Sequence, residues 1–456
     1  MSNQLPLLTP SFPDHDLLIG GDVHERRSLK VVHLSTYDVA GGAARAAYRL
    51  HSGLGRAGIE SSMFVREART KDPAVVRFEP TNRFLGRVAR RIRREQIQRK
   101  LRHSIHPVSD RLEPFRIDRS EYGTDLISQL PSHDIVNLHW VVDFVDYPSF
   151  LGSLSRGKRV VWTLHDMNAM TGGCHYDLGC GLHLSQCTQC PQLRVPGTHD
   201  LSHEIWDRKK ALFDRLPFDR LHLVTPSCWL AGEVKRSPIL GRFPLSIIPY
   251  GLDLEEFAPR DKRSAREVFG IAQQAKVILF VADGLPLLRK GFEKLIDALE
   301  QIRDRLPALC LVGVGHNSPS LGGRIPHINL GHISSDRLLS NIYSAADVLV
   351  IPSLQDNFPN TVLESMACGT PAVGFAVGGI PDMIQHGKTG LLVPPYETAA
   401  FGAALLELLQ NPERQSVFSE NCRRAAVQHF SLEQQASRYY ELYTHLLSDP
   451  SKAVGL

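Results

Sequence analysis

The chain has 456 residues, 43% hydrophobic and 22% charged, with a formal net charge of +4. That length exceeds one ordinary core and predicts two domains of roughly 200 residues each. So small a net charge supplies no field for a polyanion, and no apolar run approaches the ~18 residues that span a bilayer.

In chain order, residues 1–28 carry prolines and no periodicity, and read as a loose extension. They lack a basic stretch leading into an apolar core, so no secretory signal is expected and a cytoplasmic location is. LKVVHLS (29–35) reads as the first strand. Gly41-Gly42 then open a helix whose small residues let backbone approach a ligand closely, with Arg45 one turn inside. RFLGRVARRIRREQIQRKLRH (83–103) holds nine Lys or Arg and one acid. Its Phe84, Leu85, Val88 and Ile92 share one helical side, whereas Ile97 and Leu101 fall among the basic residues. Two readings stand: a solvated helix with its apolar side packed on the domain, or peripheral docking to an anionic membrane surface. No groove-reading element accompanies the charge, so nucleic acid is not an expected partner.

DIVNLHW (134–140) and KRVVWTLHD (158–166) predict strands that end at His139 and at His165-Asp166. The insert that follows, 170–193, spaces Cys174, Cys180, Cys187 and Cys190 as C-x5-C-x6-C-x2-C. Four thiols so close suit a structural tetrahedral zinc; free thiols or a redox disulfide are the alternatives. A catalytic zinc is not expected, because four cysteines leave no open position. Cys228, Cys310, Cys368 and Cys422 read as small buried hydrophobes.

LHLVTPS (221–227) is the last clear strand of the first half, and 247–265, with Pro249, Gly251 and Pro259, reads as a linker. KVILFVAD (276–283), ALCLVGVG (308–315), DVLVIPS (347–353) and PAVGFA (371–376) predict a second set of strands, separated by helices such as Phe292 to Leu306 and Ser334 to Ala345. Strands alternating with helices imply α/β layers on parallel sheets. Two facing Rossmann-like domains follow, 29–250 and 251–430, with a closing helix and tail over 431–456.

Ligands of such sheets sit beyond the carboxyl ends of the strands. IPSLQDNFPNTVLESMACGTPAV (351–373) has the layout strand, polar loop, helix, turn, strand, and sets Asp356 eight residues before Glu364. Carboxylates accept sugar hydroxyls, and free N–H groups at Asn360 and Thr361 suit a diphosphate. Gly378-Gly379 offers a second glycine turn, and Arg289-Lys290 supplies two cations before another helix.

These motifs resemble the donor-site signature of the family 4 retaining glycosyltransferases of the GT-B fold, with the site in the cleft between domains. The resemblance covers roughly 30–430 and is strongest over 351–395. It implies that Glu364 binds the donor ribose and that Asp356, where many members have Glu, contacts the transferred sugar. It implies that Arg289 and Lys290 hold the diphosphate, although many relatives have a further Arg where this chain has Asp283-Gly284. Asn357, Phe358, Gly378, Gly379, Gly41 and Gly42 complete the implied donor site. His165 would approach the donor sugar, and Arg45, His139 and Asp166 are acceptor-side candidates. The implied reaction moves a sugar from a UDP- or GDP-linked donor to a hydroxyl of a saccharide, lipid-linked or free, with retention and no cofactor. A subgroup with a similar cysteine pattern serves exopolysaccharide assembly. A sugar-nucleotide epimerase of the same fold, or an inactive donor-binding scaffold, are the rival readings.

Overall fold

The computed structural model describes residues 29–105, 113–153, 159–284, 287–316, 323 and 325–448. The expected N-terminal extension and the tail after 448 lie outside them. The first domain runs β1 (Lys30–Tyr37), α1 (Gly42–Arg56), β2 (Glu60–Glu67), β3 (Val75–Arg77), α2 (Phe84–Ser104), β4 (Ile135–Leu138), α3 (Tyr147–Ser153), β5 (Arg159–Thr163), α4 (Leu201–Arg215), β6 (Leu221–Thr225), α5 (Cys228–Arg236) and β7 (Leu245–Ile247). The second runs α6 (Lys262–Val268), β8 (Lys276–Gly284), α7 (Phe292–Ile302), β9 (Leu309–His316), β10 (His327–Asn329), α8 (Asp336–Ala345), β11 (Val348–Ile351), α9 (Asn360–Ala367), β12 (Ala372–Phe375), β13 (Gly390–Val393), α10 (Thr398–Leu409), α11 (Pro412–His429) and α12 (Leu432–Ser448).

The strands form two all-parallel sheets, ordered β3-β2-β1-β4-β5-β6-β7 and β10-β9-β8-β11-β12-β13. Central strands such as β4, β6, β11 and β12 are buried at every residue, as a sheet covered on both faces requires. In both sheets the strand order reverses beside the first strand, at β1/β4 and β8/β11, so each sheet opens a crevice at its carboxyl edge. The eight expected strands are all present. The sequence reading passed over β2, β3, β7, β10 and β13, of which β3, β7 and β10 are three-residue strands with exposed or half-buried patterns.

Two expected segments gain detail, and one expectation, the packed apolar side of α2, needs correction. The linker is packed: Tyr250, Leu252 and Phe257 are buried, the last completely. The closing helix α12 crosses back to finish the first domain, where Ala436, Tyr439, Leu442, Tyr443 and Leu446 share a core with Val31, Leu50, Leu54 and Val161. Two of its three tyrosines also hydrogen-bond strand residues: Asn137 Nδ2 donates to the Tyr443 hydroxyl at 2.8 Å, and the Tyr439 and Thr163 hydroxyls meet at 2.9 Å. Helix α2 does not pack its apolar stripe: Phe84 and Leu85 are 75% and 79% exposed and Ile92 53%. Ile97 and Leu101, which spoiled the stripe, are its packed residues, set against Phe115, Ile117, Cys174 and Cys190. Among the described residues, no helix is long and apolar enough to cross a membrane.

Candidate active site

Asp356 sits on the loop after β11, buried, at the centre of a charge cluster. Lys290 Nζ donates to its Oδ2 at 2.7 Å, and Arg289 Nη1 lies 3.2 Å from the same oxygen. Burial alone would raise its pKa; the two cations outweigh burial and hold it down at about 2. Arg289 is also paired with Glu113 and stacks 4.1 Å over the Tyr176 ring. The sequence reading missed Glu113 and Tyr176. Both cations therefore point at the acid loop, from a short turn that ends at Gly291. A Cβ on Gly291 would stand 1.8 Å from the Pro352 carbonyl oxygen, so only glycine lets this turn lie on the end of β11.

Helix α9 starts at Asn360 with no side-chain cap, and Asn360 and Thr361 are half-buried. An uncapped start offers free N–H groups and the positive end of the helix dipole to an anion. One turn in, Glu364 is fully engaged: Oε1 accepts from Arg49 Nη2 at 2.7 Å and Oε2 from the Tyr343 hydroxyl at 2.8 Å. Arg49 belongs to α1, so this buried pair ties the two domains together. Arg45, four residues earlier on the same face, ion-pairs with Asp336 of α8 at 2.9 Å. It clasps the two domains. The i, i+4 spacing of Arg45 and Arg49 was the available signal for this clasp.

The glycine turns serve close packing. Gly41 caps α1 at φ 84°, and the Gly42 carbonyl accepts from Asn360 Nδ2 at 2.9 Å, which brings the first glycine loop onto the start of α9. Cβ atoms on Gly378 and Gly379 would lie 1.9 Å from the carbonyl oxygens of Asp356 and Asn357. The Gly379 N–H is spent on the Asp356 carbonyl. Asn357 and Phe358 are buried where the two domains meet. Asn357 Nδ2 donates to the His165 carbonyl at 3.0 Å and its Oδ1 accepts from Ser227, while Phe358 packs between Tyr250 and Phe430. These two side chains latch and fill the loop between the domains.

His165 lies where the strand end was expected to put it, but both ring nitrogens are occupied. Nε2 meets His139 Nδ1 at 3.0 Å and Nδ1 meets the Tyr250 hydroxyl at 2.6 Å. His139 in turn meets His33 at 2.9 Å. The three rings form a buried row, and burial lowers the pKa of each, that of His165 to about 4. His139 is thus an interior member of this row and does not face an acceptor. Asp166 holds a sequence-legible turn by accepting from the Asn168 N–H, and its other oxygen accepts from Trp140 Nε1 and, at 2.6 Å, from His175 Nδ1. Burial opposes charge on His175 and is outweighed by Asp166, which raises the imidazole pKa. His175 Nε2 has no partner among the described residues. Trp140 stacks on His175 and Tyr37 on Trp140, giving a row of three rings beside the dyad. His175 lies inside the cysteine-spaced insert, where no spacing signals a partner for it.

Asp283, where a further Arg was expected, lies with His316 and His332 at the carboxyl ends of β8 and β9 and just after β10. One ligand atom of each falls within 4.8 Å of the others, all three side chains being exposed. That set could hold a divalent cation. Cys174, Cys187 and Cys190 are buried and Cys180 is exposed, all four as free thiols.

The layout of two facing parallel α/β domains recurs in sucrose-phosphate synthase from Thermosynechococcus elongatus, at TM-score 0.62 and 21% identity over 92% of this chain and 99% of that one. Anabaena HepE, solved with UDP-glucose, superposes at TM-score 0.61 and 16% identity over 91% of this chain and 100% of that one. The fold is GT-B. Residues 275–411, the GT-B domain that carries Asp356 and Glu364, match the family model described as glycosyl transferases group 1. Curated relatives include D-inositol 3-phosphate glycosyltransferases of Thermobispora bispora, 32% identical over 46% of this chain and 52% of that protein, and of Mycobacteroides abscessus, 33% identical over 45% and 47%. The chain spans about half the length of the curated relatives it matches.

Proposed function

We propose that this protein is a glycosyltransferase that moves a sugar, with retention, from a nucleoside-diphosphate donor to a hydroxyl of a saccharide. The observation that carries the reading is the cluster Arg289, Lys290 and Asp356 beside the uncapped start of α9, inside the region that matches group 1 glycosyl transferases. A diphosphate takes over both cations and the free N–H groups of Asn360 and Thr361; Asp356, released, accepts hydroxyls of the donor sugar. Charge growing on the leaving phosphate is then met by preorganised cations, with no metal required for that step. Glu364 takes the ribose hydroxyls by exchanging Arg49 or Tyr343. On the first domain, Tyr37 and Trp140 offer a stacking surface for a sugar ring, and Asp166, partly exposed and paired with the buried His175, is the group that would orient an acceptor hydroxyl. The solved complexes of HepE with UDP and with UDP-glucose favour a uridine nucleotide.

The exposed apolar edge of α2, with Arg87 and Arg91 on the same helix, supports peripheral docking to an anionic inner membrane face and hence a lipid-linked acceptor in surface or exopolysaccharide assembly. The test is a thermal-shift panel of UDP-, GDP- and ADP-sugars on the wild type and on Glu364→Ala. One nucleotide class should raise the melting temperature of the wild type by mass action, with the effect lost in the variant. No shift at millimolar concentrations defeats the donor-site reading. Donor turnover that proceeds without any acceptor favours an epimerase instead.

A further inference from the structure

The four cysteines of the insert all line one small cavity, together with Phe115, Gly172 and Ser202. Around them the backbone enters the left-handed region repeatedly, at Leu178, Gly179, Gly181 and Gln189. Leu178 and Gln189 gain nothing from that conformation by themselves, so the surroundings must hold it. The turns aim backbone donors at sulfur. The Gly172 N–H donates to Cys187 Sγ at 3.2 Å, the Leu182 N–H faces Cys180, and those of Gln192 and Leu193 face Cys190. A thiol is a weak acceptor, whereas a thiolate gains from each such donor. Gathered thiolates in a buried place need a cation among them.

Charge around the cavity points the same way. Lys209 is fully buried, and its ammonium donates to the carbonyls of Asn168 and Thr171. Cys174 and Cys187 lie within electrostatic range of it. One divalent ion with four thiolates carries a net charge of −2, which a buried ammonium beside it partly offsets. Sulfur ligands in tetrahedral number select zinc over magnesium, calcium or manganese.

We propose that Cys174, Cys180, Cys187 and Cys190 bind one structural zinc ion, which fixes the segment His175–Asp177 in the cleft. No three of the sulfurs lie mutually within 4.8 Å. Zinc–sulfur bonds of about 2.3 Å draw them inward to a spacing of about 3.8 Å. The segment that starts at the first ligand supplies three consecutive cleft contacts. His175 pairs with Asp166, Tyr176 lies under the Arg289 guanidinium, and Asp177 Oδ1 accepts from Gln355 Nε2 at 2.7 Å, one residue before Asp356. The same cavity wall meets α2, because Cys174, Cys190 and Leu101 share one small core. The ion acts on orientation and is not an electrophile in the reaction.

The test uses the full chain purified in reducing buffer without added metal, and its metal content does not depend on the glycosyltransferase reading. Elemental analysis should find one zinc per chain, and Cys187→Ser or Cys190→Ser should lose it. If those variants misfold, Cys180→Ser at the exposed rim, and wild type stripped by a chelator and refilled with cobalt, give the answer. The rim variant should release zinc to a chelator at least tenfold faster, and the cobalt form should show a sulfur-to-metal charge-transfer band. Trp140 and Trp229 stack on His175 and Tyr176, so chelation should also shift tryptophan emission while the far-ultraviolet circular dichroism holds. Absence of metal, iron in place of zinc, zinc that survives all three cysteine substitutions, or only four titratable thiols in the denatured unreduced chain would each overturn the proposal.

Discussion

Removal of Arg49 tests whether the clasp between domains depends on the donor-site acid. Arg49 Nη2 lies 2.7 Å from Glu364 Oε1, with side-chain exposures of 7% and 4%. Deleting one partner of a buried ion pair leaves an uncompensated charge and costs about 3–5 kcal/mol. The Tyr343 hydroxyl remains on Oε2 at 2.8 Å, which puts Arg49→Ala at the low end, about 3 kcal/mol. At ~2–4 °C per kcal/mol for domains of this size, the melting temperature should fall by roughly 6–12 °C. Arg45→Ala breaks a more exposed pair and should cost about 1 kcal/mol or less. A double-mutant cycle of Arg49→Ala with Glu364→Gln, followed by thermal unfolding, should return a coupling of about 2–3 kcal/mol. Additivity within about 0.5 kcal/mol would show that the pair does not hold the domains and that Glu364 is free of Arg49 in solution.

The His33–His139–His165 row should make the fold acid-sensitive: these imidazoles stay neutral when folded, whereas the unfolded chain protonates them below about pH 6.5. Stability is full above that pH and falls towards pH 4, by about 3 kcal/mol for His165 alone; His139→Gln should flatten the slope in a denaturant series across pH 4–7, and an unchanged slope refutes the assignment. Gly291→Ala meets the Pro352 carbonyl at 1.8 Å, but Gly58→Ala, at a similar positive φ, meets nothing within 4 Å. The second should cost about 1 kcal/mol and the first several times more by urea unfolding, and equal losses would count against the close approach. Replacing Phe84, Leu85 and Ile92 by Ser should abolish co-sedimentation with phosphatidylglycerol vesicles and leave the melting temperature within about 1 °C; vesicle binding that persists removes α2 as the docking element.

Strands with continuous β-branched runs were legible because burial on both faces leaves no other composition open to them, as in VLVI of β11. The short edge strands β3, β7 and β10 lack that pressure and look like loop. Asp356, Glu364, Arg289 and Lys290 were legible as a spaced pattern of charges, and the structure gathers three of them within hydrogen-bond reach. What the pattern could not convey is partnership across the cleft. Arg49 and Glu113 of the first domain bind Glu364 and Arg289 from 315 and 176 residues away, and no local spacing encodes such distances. Nor could it convey that the side chains of Asn357 and Phe358, inside the same motif, contact His165, Ser227 and Tyr250 from far along the chain.

The loop 353–360 is held from both sides at once, and that has a mechanical consequence. The first domain grips it through the His165 carbonyl, Ser227 and the Gly42 carbonyl. The second domain grips it through Arg289 and Lys290 on Asp356 and through Gly378-Gly379 beneath the backbone. On the proposed donor reading, a diphosphate that draws the two cations off Asp356 loosens one hold of the second domain and leaves the glycine turn, so the contacts with the first domain carry a larger share of the loop. Donor binding and domain closure would then be coupled, and the coupling free energy is reciprocal. Substitution of Asn357 by Ala removes the side-chain contacts to His165 and Ser227 of the first domain and touches neither Arg289 nor Lys290, so it should weaken donor binding by opening the cleft. A donor affinity unchanged in Asn357→Ala would mean that the domains close independently of the site.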